Sequence, residues 1–82
     1  MKYYVYIIQS ESTGQYYIGQ TNNISSRLLR HNDGYEKFTS KGIPWKLVWM
    51  TEKPSRSDAM KLERKLKNLS RVRLEKFMDK YP

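Results

Sequence analysis

The spacing of apolar and polar residues changes along this 82-residue chain, and each change marks a new element. Lys2 to Gln9 is rich in Tyr, Val and Ile and predicts a strand, with Tyr4, Tyr6 and Ile8 on one face. The turn cluster "SESTG" follows, and Gln15 to Gln20 predicts the returning strand of a hairpin. A four-residue connection, Glu11 to Gly14, would put Tyr17 and Gly19 on the face of Tyr6. A slip of one residue would separate them. Thr21, Asn22 and Asn23 can each cap a helix, and Ile24 with Leu28 gives it a narrow apolar stripe. Arg27 and His31, spaced i,i+4, lie along the edge of that stripe. Asp33-Gly34 ends the helix.

Residues 35–44, "YEKFTSKGIP", read as a loop, and Trp45 to Thr51 alternates as a third strand. Pro44 suits the start or edge of that strand. Trp45 and Trp49 are expected on one strand face, in the core. Pro54 breaks the chain, and Ser55 with Asp58 resembles a capping box. Ala59, Leu62, Leu66 and Leu69 form a helical stripe. Ser70 can cap a last helix carrying Leu74, Phe77, Met78 and Tyr81. The order β-β-α-β-α-α predicts an α+β fold, a three-stranded antiparallel sheet flanked by helices. So short a chain builds one core, so a single domain over 1–82 is expected.

Charge sharpens this picture. The chain carries 16 Lys and Arg against 8 Asp and Glu, a net charge of +8. Residues 1–52 contribute only +2, and residues 53–82 contribute +6. A basic surface gathered on one segment suits a polyanion, nucleic acid first and anionic membrane second. The plainer alternative is a solvated lysine-rich helix face. No run of about 18 apolar residues is present, so no membrane span is expected. The N-terminal "MKYYVYIIQSES" lacks a small-residue cleavage site and alternates like a strand, which argues against a signal peptide. Zero cysteines exclude disulfides and thiolate metal sites and suit a cytoplasmic location.

Five of the seven tyrosines lie between Tyr3 and Tyr17. A purely structural hairpin could use Phe, Val or Ile there, whereas each buried phenol needs a hydrogen-bond partner. Tyr4-Val5-Tyr6, then Tyr17-Ile18-Gly19, then Arg27 on the next helix together resemble the GIY-YIG nuclease superfamily. His31 matches that superfamily's His or Tyr one turn beyond the arginine, and Glu63 in "AMKLERKLK" matches its metal-binding glutamate. "FTSKGIPWKLV" is similar to the small stand-alone bacterial members, which in turn resemble the nuclease subunit that cuts branched DNA. Three positions depart from the pattern. Tyr4 stands for the first glycine, Gln20 for a lysine of the excision-repair relatives, and Asn68 is a poor match for a late asparagine.

The resemblance implies a metal-dependent endonuclease that hydrolyses DNA phosphodiester bonds, with branched or damaged DNA as candidate substrates. The residue types agree with that chemistry. Tyr6 or Tyr17 can act as base if its pKa falls from about 10. Arg27 offers a planar fork to phosphate oxygens, and His31 can relay a proton or orient the phosphate. Glu63 alone suits Mg²⁺ or Mn²⁺, which keep most of their water shell. Gly19 lets phosphate or a helix approach closely. Arg30, Lys41, Arg64, Lys67 and Arg71 are expected along the nucleic-acid path. The partner the resemblance implies is DNA, with RNA an open alternative and a protein partner a further one. Two other functions compete: a nucleic-acid-binding module that does not cut, and an interaction subunit of a larger complex.

Overall fold

The computed structural model describes residues 2–82; Met1 lies outside them. Strand β1 (Tyr3–Ser10) is central, with β2 (Tyr16–Thr21) and β3 (Trp45–Lys53) antiparallel on either side. Helix α1 (Ile24–Asn32) follows β2, and α2 (Arg56–Lys67) and α3 (Arg71–Lys80) follow β3. The order is the β-β-α-β-α-α expected from the sequence. The loop before β3 adds one 3₁₀ turn, Ser40–Gly42.

Local chemistry explains the boundaries. The Ser10 and Gln15 backbones pair across the hairpin, leaving Glu11 to Gly14 as the four-residue loop, with Gly14 at φ +78°. The resulting register sets Tyr6 opposite Gly19 and Ile8 opposite Tyr17, so all four share a face. Asn23 caps α1 by accepting from the Ser26 N–H, and Ser55 and Ser70 cap α2 and α3 in the same manner. At the other end of α1, the N–H of Gly34 reaches the His31 carbonyl and that of Tyr35 reaches the Arg30 carbonyl. Those two bonds, with Gly34 at φ +81°, are a Schellman close.

The helices divide between the two faces of the sheet. Between the sheet and α2 and α3 lie Val5, Ile7, Ile18 and Trp49 from the strands and Ala59, Leu66 and Leu74 from the helices, an apolar and mainly aliphatic core. Under α1 lie Tyr6, Ile8 and Trp45, with Tyr17, Ile24 and Leu28 against them. The two tryptophans therefore do not share a face, contrary to the sequence expectation. The pairing of β1 with β3 slips between Ile7 and Ile8, which oppose Trp49 and Leu47. Val48 is the extra residue of this bulge, and one extra residue inverts the alternation beyond it.

Candidate active site

The polar face under α1 is built around a buried histidine. His31 is only 1% exposed, and each ring nitrogen has a partner. Nε2 lies 2.9 Å from the Tyr6 hydroxyl, and Nδ1 lies 2.8 Å from the Thr39 hydroxyl. Burial lowers the His31 pKa most; Glu36 pushes back, while Arg27 and Arg30 lower it further. The ring is therefore neutral and carries one N–H. Thr39 directs its own proton to the Glu36 carbonyl, at 3.4 Å, so its oxygen accepts from Nδ1–H. That leaves the Nε2 lone pair to accept the Tyr6 O–H. Tyr17 closes the group, its ring edge-on to His31 at 5.1 Å between centroids.

Tyr6 reaches this position because position 19 has no side chain. A Cβ on Gly19 would stand 2.5 Å from the Tyr6 hydroxyl. What approaches Gly19 closely is thus the Tyr6 phenol, rather than the phosphate or helix expected from sequence. Burial pushes the Tyr6 pKa well above its ordinary value, with Tyr17, Glu36 and Glu63 adding to the rise and Arg27 alone opposing it. The expectation of a depressed phenol is not met at Tyr6 in the free protein. Desolvation outweighs the single cation. His31 likewise is too deeply buried to meet a phosphate itself, and its Nε2 faces the Tyr6 hydroxyl instead.

Arg27 is half-buried on α1, and its guanidinium lies 3.8 Å from Glu36, which also pairs with Arg30 at 3.5 Å. Glu36 is not among the site residues expected from the sequence. Its role depends on the α1–β3 loop folding back over α1, which no local pattern announces. Thr39 was missed for the same reason. Glu63 approaches from α2 on the opposite side of the sheet. It pairs with Lys67 at 2.7 Å and lines a hollow of about 350 Å³ with Gln20, Arg64 and Asn68. Its charge is the smallest of the causes that raise the Tyr6 pKa. Among the described residues no three His, Cys, Asp or Glu side chains gather as a metal cluster. One carboxylate still fits Mg²⁺ or Mn²⁺, which bind through one or two carboxylates plus water and phosphate oxygens.

The five cations expected along a nucleic-acid path divide in two. Arg30 and Lys41 belong to the α1 side, and Arg64, Lys67 and Arg71 to the α2–α3 side. Arg71 also donates to the Gly14 carbonyl at 3.0 Å and lies over the Tyr16 ring. Tyr16 itself is structural, donating to Glu75 at 2.9 Å. No helix among the described residues is long and apolar enough to cross a membrane.

A three-stranded antiparallel sheet with paired tyrosines on two strands, and an arginine and a histidine on the next helix, defines a nuclease-type fold. The sequence model of the GIY-YIG catalytic domain matches residues 2–76, and the chain belongs to that family. It is 36% identical over 78 residues to a UPF0213 protein of Streptococcus pneumoniae serotype 4, covering 94% of this chain and 78% of that protein. UPF0213 protein BH0048 of Halalkalibacterium halodurans is 34% identical over 79 residues, covering 95% of this chain and 83% of that one. The solution NMR structure of UPF0213 protein BH0048 from Bacillus halodurans superposes with a TM-score of 0.65 at 33% identity. It covers 99% of this chain and 86% of that one.

Proposed function

We propose that the protein is an endonuclease that hydrolyses DNA phosphodiester bonds, with Tyr6, His31, Arg27, Tyr17 and Glu63 as its working residues. The observation that carries this reading is the buried Tyr6–His31 hydrogen bond, opening toward Tyr17 at the edge of the sheet. A neutral imidazole that accepts the Tyr6 proton makes a phenol useful as a base even though burial disfavours free phenolate. As water attacks phosphorus, its proton passes to the Tyr6 oxygen while the Tyr6 proton moves to Nε2. The imidazolium then gives its proton back through Tyr6 to solvent, and the alkoxide, leaving on the far side of phosphorus, takes its proton from water. Arg27 leaves Glu36 to pair with the phosphate, where its fork meets the charge that develops on the phosphorane. Tyr17 positions the attacked phosphate from the open side. Glu63, once released by Lys67, would hold a divalent metal, which supplies Lewis acidity at the phosphate oxygens.

The test is cleavage of labelled single-stranded, duplex, flapped and four-way-junction DNAs with Mg²⁺ or Mn²⁺. Wild type runs beside Arg27→Ala and Glu63→Gln. Arg27→Ala should cut at least about 100-fold more slowly, the scale of losing one charge-stabilising group. Cutting that persists in both variants would sink this assignment of the site. A second reading is favoured by the two internal ion pairs, since Arg27 is held by Glu36 and Glu63 by Lys67. A site that neutralises its own charges suits a module that binds nucleic acid without cutting it. Its signature would be salt-sensitive affinity with no metal-supported cleavage on any of the four substrates.

A further inference from the structure

Strand β2 forms one edge of the sheet, and hollows follow one another along it. One, about 640 Å³, runs past Tyr17 between Phe38 on one wall and Lys67 and Arg71 on the other, over Leu66 and Leu69. The second, with Gln20 and Glu63, shares Lys67 with the first. A third, about 220 Å³, shares Gln20 with the second and ends at Arg27 and Arg56. Together they make a trough along a strand about 20 Å long. Phe38 is 76% exposed, an uncommon position for a large apolar ring, yet its inner side rests on the Tyr17 ring at 5.7 Å between centroids. It is an aromatic plate open to solvent, packed on one side against Tyr17 and beside the residues assigned to chemistry.

We infer that this trough takes a single strand of nucleic acid, with one unpaired base seated against Phe38 and Tyr17 and its backbone running past Lys67 toward Arg27. The proposal rests on the nucleic-acid part of the reading above and names its substrate class, a strand with unpaired bases. The chemistry of the walls selects this occupant. A cationic wall suits phosphates, and an aromatic plate over an apolar floor suits a base face. In a duplex the bases are stacked on one another, so only an unpaired base can lie on the plate. A peptide adding to the free edge of β2 is the rival, but it would need neither the plate nor the cations.

The test is fluorescence anisotropy in EDTA with a fluorescein-labelled single strand and the blunt duplex made from it, so that binding is read without cutting. Phe38→Ala, checked by circular dichroism, should weaken single-strand binding about tenfold and leave duplex binding unchanged. Phe38→Trp should keep wild-type affinity. Equal weakening on both DNAs, or no weakening on either, would overturn the proposal, and the second result would leave the edge to a peptide. Cleavage with metal is measured separately on the same proteins. Phe38-dependent binding without cleavage overturns the nuclease and keeps the trough. Cleavage with Phe38-independent binding overturns the trough alone, and wild type that neither binds nor cuts overturns both.

Discussion

The two faces of this sheet are buried to similar depth but by opposite means. Under α2 and α3, Val5, Ile7, Ala59 and Leu66 are fully buried and offer only side-chain carbon. Under α1, the deepest positions include His31 and Thr39, which are polar, and Tyr6 beside them. Aliphatic burial stabilises about in proportion to area and asks for no particular geometry. A buried polar chain is different: each member must be satisfied, and removing one partner strands the next. Every fully buried side-chain nitrogen and oxygen among the described residues has a partner. One face therefore holds the sheet together, and the other holds a chain of hydrogen bonds in place.

The comparison predicts that the faces fail differently. Leu66→Ala, at a position with no exposure, should cost about 2–5 kcal/mol of stability. Urea unfolding would show the loss as a lower midpoint, with the activity or affinity of the folded fraction unchanged. If folded Leu66→Ala protein also lost function, the division of labour between the faces would be wrong.

Gly19→Ala is a smaller change with a broader consequence. The new methyl would meet the Tyr6 hydroxyl at 2.5 Å and its ring at 2.7 Å, and Tyr6 is tethered to His31. Either the ring moves or the strand does, at about 1–3 kcal/mol. The sharper readout is NMR of the His31 ring, whose nitrogen shifts should change as the Tyr6 bond is lost. Unchanged shifts would mean the phenol has room to spare, and that Gly19 is not what sets its position.

Much of this was legible in the sequence because it is local. The strands, the Asn23, Ser55 and Ser70 caps and the Asp33-Gly34 stop each depend on a few adjacent residues. The shared face of Tyr6, Tyr17 and Gly19 followed from the four-residue loop, since parity alone decides it. The bulge at Val48 was not legible, because it arises from pairing with β1 and leaves no mark in "WKLVWMT". Glu36 and Thr39 were hidden for a related reason. Their partners lie on α1, and only the fold of the 33–44 connection brings them there. Asn32 shows how that connection is fixed, its side chain pairing with both the N–H and the carbonyl of Trp45 at 2.6 and 3.1 Å.

The smallest effect separates the faces by pH. His31 is neutral when folded because burial lowers its pKa, whereas in the unfolded chain it titrates near 6.5. Below about pH 6.5 the unfolded state binds a proton that the folded state refuses, so the equilibrium shifts toward unfolding. The contribution is fully present above the unfolded value and is lost as pH falls toward the folded one. The slope is at most about 1.4 kcal/mol per pH unit for one proton. It should appear between pH 7.5 and 5.5, above the range in which ordinary carboxylates titrate. The chain's one histidine lies on the α1 side, so Leu66→Ala should shift the whole stability curve down without changing its slope. His31→Gln should lower stability and flatten the curve. A slope that survives in His31→Gln would mean that another group senses pH in this window, and that the Tyr6–His31–Thr39 chain does not set the acid response of the fold.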